Sequence, residues 1–135
     1  MNRVLVYVII LVYYLLFDGL MIMLYMGKTF KDMVKKIQNG EEMKAKIIPA
    51  ILAFVVLAFG IYYFIIDKVR DNNIIMDSAK LAIPFGFVIY AVYDFTNLAT
   101  LNKYSVKTAI IDIMWGSFLA FLVTVATKYT MRIRN

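Results

Sequence analysis

The stretch YDFTNLATLNKYSVKTAIIDIMWG, Tyr93–Gly116, decides the fold. It joins the end of one apolar run to the start of another through a short polar hinge at Asn102-Lys103, a pattern that predicts two antiparallel helices. Followed outward, these runs cover about 81–101 and 108–127, and two more lie upstream at about 4–26 and 47–66. Each matches the roughly 20 apolar residues with which a helix crosses a bilayer. Of all residues 63% are hydrophobic and 16% aromatic, against about 45–50% apolar in soluble domains, and mean hydropathy is +0.76. Residues 1–135 are therefore expected to form one unit of the all-α class, an integral membrane four-helix bundle. Arg3 precedes the first run as in a secretory signal, but the run is too long for a signal core and no small-residue cleavage pattern follows it. It is expected to remain as a span.

There is no cysteine and no histidine. That excludes disulfides, thiolate nucleophiles, imidazole bases and nearly every zinc or haem site. No cofactor is expected, and a hard metal ion is left open. The net charge of +6 does not point to nucleic acid, because Lys and Arg fall in the gaps between apolar runs and form no single basic face. The expected partners are the bilayer with its anionic headgroups, further copies of the chain, or neighbouring envelope or capsid proteins.

Four spans put both termini on one face, side A, and the loops 27–46 and 102–107 on the other, side B. Side A carries seven Lys and Arg and side B eight, so the positive-inside rule leaves the orientation undecided. In the first loop Phe30, Met33, Val34 and Ile37 recur at helical spacing, with Lys28, Lys31, Lys35 and Lys36 among them. This predicts a short amphipathic helix, about 28–38, in the headgroup layer, with those lysines on lipid headgroups. The segment 67–80 reads as a polar turn region.

The acids within the spans carry the functional question. A charged Asp at membrane depth costs about 2.5–3.5 kcal/mol on insertion scales. Asp18, Asp94 and Asp112 all fall roughly 6–12 Å inside the side-B boundary at 1.5 Å per residue. Tyr90, Asp94 and Asn97 share one stripe of the third span, and Asp112, Trp115 and Gly116 share one of the fourth. The candidate polar intramembrane site is thus Asp18, Asp94, Asn97, Asp112, Tyr90 and Trp115. Its charge can be met by a proton, by Lys28, Lys103 or Lys107 reaching inward, or by a bound cation. Plain structural roles compete: Asp94 and Asn97 as caps of a broken helix, Asp112 in a first turn, and Tyr90 and Trp115 as interface aromatics. The pairs Ala82/Gly86 and Gly116/Ala120 read as close helix packing. Tyr14/Asp18 and Tyr90/Asp94 repeat one spacing on spans of the same direction, a faint sign of duplication.

Two blocks, Tyr93-Asp94-Phe95-Thr96-Asn97-Leu98-Ala99-Thr100-Leu101 and Ile111-Asp112-Ile113-Met114-Trp115-Gly116, carry a resemblance. Together they resemble domain of unknown function family 2177, small predicted membrane proteins of bacteria and large DNA viruses. The family's first-helix Asp is usually followed by Trp-Leu, whereas here Asp18 is followed by Gly19-Leu20-Met21. The resemblance implies four helices and membrane residence and no activity. Richness in Ile, Lys, Asn and Tyr leans toward an AT-rich genome such as a large virus.

Three readings follow. The first is a structural or organising component of a viral or cell-envelope membrane: a host or bacterial cell membrane, or a virion inner membrane. The alternative is a small oligomeric transporter or a protein binding a cation or headgroup. The third is a lipid-modifying enzyme using Asp94 and Asp112 as acid and base or around Mg²⁺, for which no nucleophile motif speaks.

Overall fold

A computed structural model describes residues 1–135. Helix α1 (Arg3–Met21) starts at Asn2, whose side chain accepts the Val4 N–H at 2.8 Å. It runs through one π-helical turn, Ile22–Met26, directly into α2 (Gly27–Ile37), giving a continuous helix of 35 residues. After the 38–46 loop come α3 (Ile47–Phe64), with a terminal 3₁₀ turn at Ile66–Lys68, then α4 (Ile74–Thr100) and α5 (Val106–Arg134). There are no strands, and the protein is a bundle of four helices long and apolar enough to cross a membrane.

The spans are longer than their apolar runs because polar residues finish them. Arg70 donates twice to the Asp77 carboxylate at 2.8 Å and Asn73 donates at 2.9 Å, so α4 begins at Ile74, well before the apolar run at 81. Asp77 lies in the first turn, where the helix dipole favours an acid, and Arg132 and Arg134 occupy the last turn of α5, where it favours bases. Arg3 pairs with Asp67 and Lys128 with Asp71, each at 2.7 Å. These pairs tie both chain termini to the α3–α4 connection at side A.

Polarity is arranged for lipid. Val4, Val8, Val12, Leu15 and Leu16 of α1 point outward, as a helix in a medium without hydrogen-bonding solvent permits. Inward, Val6, Ile10 and Tyr14 pack with Ala58 and Ile61 of α3 and with Leu119 and Val123 of α5. Helix α1 therefore lies between α3 and α5, and α5 lies against α4. Helices α4 and α5 make the closest contact: a Cβ on Gly86 would collide with the Gly116 carbonyl, so the small residues do pack as their spacing predicts. Gly60 admits the Phe85 ring and draws α3 onto α4 in the side-A half. Toward side B a cavity lies between the two helices.

The amphipathic segment is helical, but it continues α1 and is not a separate element. Its apolar face, Phe30, Met33 and Ile37, covers Tyr104, Ala109 and Leu98 of the α4–α5 hairpin, while Lys28, Lys31, Lys35 and Lys36 are exposed. The apolar face of this helix thus meets protein. The π turn explains the continuity. The buried residues Val6, Ile10, Tyr14 and Met26 are spaced by multiples of four, with half-buried Asp18 in the same register, and each four-residue step overshoots a 3.6-residue turn by about 40°. One wider turn returns the drifting face to the bundle.

Candidate functional site

Asp94 has no solvent-accessible surface. It lies six residues before the end of α4, about 9 Å along the helix axis. The Tyr104 hydroxyl donates to its Oδ1 at 2.8 Å, and its Oδ2 has no hydrogen-bond partner. Across the close α4–α5 contact stands Asp112, six residues into α5 and also buried, with its carboxyl beside that of Asp94. Two carboxyls have no hydrogen to share unless a proton or another cation lies between them.

Tyr104 is the residue that reading the sequence missed. It lies in the connection between α4 and α5, which looks like a solvated turn, yet it is buried. Lys103 just before it adopts a left-handed conformation with φ 69°, which reverses the chain beneath the bundle. Met33 of α2 then covers the turn, its sulfur accepting the Ser105 N–H at 3.3 Å. Burial, with Asp94 acting in the same sense, holds the Tyr104 phenol well above its usual range, so it remains a donor. An apolar residue pattern cannot show this fold-back. Its only sequence signal is an aromatic in a turn too short to need one.

Asp18 forms the second arm. Trp115 Nε1 donates to Asp18 Oδ1 at 2.9 Å, linking α1 to α5. Tyr90 stands between the arms, near all three acids and Tyr14, with its ring laid on Gly116 where no side chain could fit. The structure brings Asp18, Tyr90, Asp94, Asp112 and Trp115 together. Asn97 is at the rim, beside the Tyr93 and Tyr104 hydroxyls. No lysine reaches the acids: all four ion pairs of the protein lie elsewhere.

Two cavities meet at Tyr90 and Asp112, which line both. The larger, about 470 Å³, lies between α3 and α4 in the side-B half, with Leu52, Ala53 and Val56 on one wall and Ile89 and Tyr93 on the other. The smaller, about 250 Å³, lies under the π turn, walled by Ile22, Met26 and Phe30 and containing Asp18 and Trp115. At the side-B surface, Lys35, Lys36 and Lys103 surround a recess of about 700 Å³ with Asp32, Asn39 and Gly40 and no apolar residue. Lys31 faces a neighbouring recess with Glu42.

The acid site offers no group of three or more His, Cys, Asp or Glu that could hold a metal ion. A calcium cage takes six to eight oxygens. Two facing carboxyls with aromatic rings nearby suit a singly charged cation better, through charge-assisted hydrogen bonds and ring-face contact.

A family model described as a predicted membrane protein, DUF2177, matches residues 3–129. Neither the curated proteins nor the solved structures contain a match to the chain.

Proposed function

Because the chain belongs to the DUF2177 family of predicted membrane proteins and buries an acid pair with one oxygen unanswered, we propose that it binds a cationic group inside the bilayer. Asp94 and Asp112 are the anionic partners, Tyr104 holds Asp94 in place, and Trp115 holds Asp18 near the second cavity. The observation that carries this reading is Asp94 Oδ2, fully enclosed and without a donor, beside a second carboxyl. An unpaired buried acceptor destabilises a fold by about 1–3 kcal/mol, and more when charged. Either a shared proton or a bound cation can answer such a pair, and the cavities that meet at Asp112 give a cation room beside it. The test is a titration of purified protein in uncharged detergent with methylammonium, sodium and potassium, followed by thermal unfolding. At least one cation should raise the melting temperature of the parent protein and leave Asp94→Asn and Asp112→Asn unmoved. If all three proteins respond alike, the acid pair is not the binding site.

A second reading, an organising component of a viral or cell-envelope membrane, draws on the recess of Lys35, Lys36 and Lys103, whose charge and lack of apolar lining suit an anionic headgroup. Such a component is abundant in its membrane. Quantitative mass spectrometry of purified envelopes should then find it stoichiometric with the assembly, and traces alone would remove this reading.

A further inference from the structure

We propose that the ligand of the acid site is a single-chain amphiphile with an ammonium head, admitted from the bilayer through the gap between α3 and α4. This rests on the cation-binding reading above and specifies the ligand class. The gap has a cause in the sequence. Gly60 lets the Phe85 ring approach α3 toward side A, and lower down Leu52, Ala53 and Val56 face Ile89 and Tyr93 across about 470 Å³. Leu52, Val56 and Tyr93 are each more than half exposed. In a spanning bundle an exposed face at that depth meets acyl chains, so the mouth opens to lipid and not to water.

The chemistry changes from mouth to floor. The walls are apolar, and the floor is Tyr90 and Asp112 with the orphaned Asp94 Oδ2 behind. A neutral lipid brings no charge to answer an ionised carboxylate, and an anionic one would be repelled by it. A hydrated metal ion has no use for an apolar entrance. An ammonium brings three N–H donors and no acceptor, which complements Asp94 Oδ2 and the Asp112 carboxyl together. The Tyr90 ring adds a face for the charge. The volume is in the lower half of the roughly 300–1,000 Å³ typical of ligand cavities, so it suits one aliphatic chain. The head then rests at Asp112, which also borders the smaller cavity with Asp18 and Trp115.

Trp115 is the protein's single tryptophan and bonds to Asp18 beside that junction, so its emission reports occupancy without a label. Protein in nanodiscs of zwitterionic lipid would be titrated with n-dodecylamine, n-dodecanol and methylamine. Dodecylamine should give a saturable change in emission that dodecanol at equal mole fraction does not, and Asp112→Asn should abolish it. Ala53→Phe, which fills the exposed mouth without touching the acids, should weaken dodecylamine binding by about tenfold, equivalent to about 1.4 kcal/mol, and leave methylamine binding unchanged. Should methylamine bind as well as dodecylamine, or Ala53→Phe affect neither or both alike, lateral entry is wrong while cation binding stands. If neither amine binds, the ammonium ligand is wrong, and cation binding then falls only when sodium and potassium also leave the melting temperature of the parent protein unmoved.

Discussion

Tyr104 decides how Asp94 is tolerated. With its hydroxyl removed, both Asp94 oxygens lie buried without a hydrogen-bond donor. Tyr104→Phe should therefore destabilise the bundle by about 1–3 kcal/mol, read as a lower melting temperature in detergent. An unchanged melting temperature would mean that Asp94 draws its partner from elsewhere. The acids themselves were legible in the sequence, because a carboxylate within an apolar run violates the local pattern. Their pairing was only half legible. Helical stripes align Asp94 with Tyr90 and Asp112 with Trp115, but Asp18–Trp115 and Asp94–Tyr104 are contacts between segments 97 and 10 residues apart. Lysine compensation, open in the sequence because the long stems of Lys28, Lys103 and Lys107 can reach inward, does not occur. Lys103 instead turns to the surface recess with Lys35 and Lys36.

Among the elements, the α4–α5 hairpin is the rigid part, built on glycine where side chains would not fit. Gly116→Ala would drive a methyl into the Tyr90 ring, an overpacking expected to destabilise by about 1–3 kcal/mol. Shrinking the ring should relieve it, so the double variant with Tyr90→Leu should show a coupling of at least about 0.5 kcal/mol in a thermodynamic cycle. Gly19 has open space where a Cβ would stand, and Gly19→Ala is the control that should be neutral or stabilising. Equal effects at both glycines would deny the close contact. Spans and small-residue pairs could be read from the sequence because each is a local pattern. The π turn and the continuation of α1 into α2 could not, since Gly27 and Lys28 look like a span's end. The spacing of the buried positions 6, 10, 14 and 26 by multiples of four carries that signal.

At the scale of the whole molecule, side A is fastened by ion pairs and side B holds the acid site. The Lys128 ammonium, by hydrogen bond and charge, holds the Asp71 carboxyl below its usual range. A depressed carboxyl contributes stability above its ordinary value of about 3.9, and that contribution is lost as pH falls through the lower folded value. Asp71→Asn should therefore melt slightly below the parent at neutral pH, with the difference shrinking in high salt because Asp71 is exposed. It should vanish in strong acid, and a difference that persisted there would have another origin. Topology is checked by single cysteines, since the chain has none of its own. Positions 2 and 135 should label from one side of the membrane and position 40 from the other, and opposite labelling of the two ends would contradict four spans. The central claim is that the acid pair is retained for binding and not for folding. The most direct measurement is the melting temperature of ligand-free Asp112→Asn beside the parent protein in uncharged detergent. An Asn amide can donate to Asp94 Oδ2 and removes a buried charge, so the variant should melt at the same temperature or higher. A clearly lower melting temperature would show that the carboxyl pair holds the bundle together, and would contradict the account.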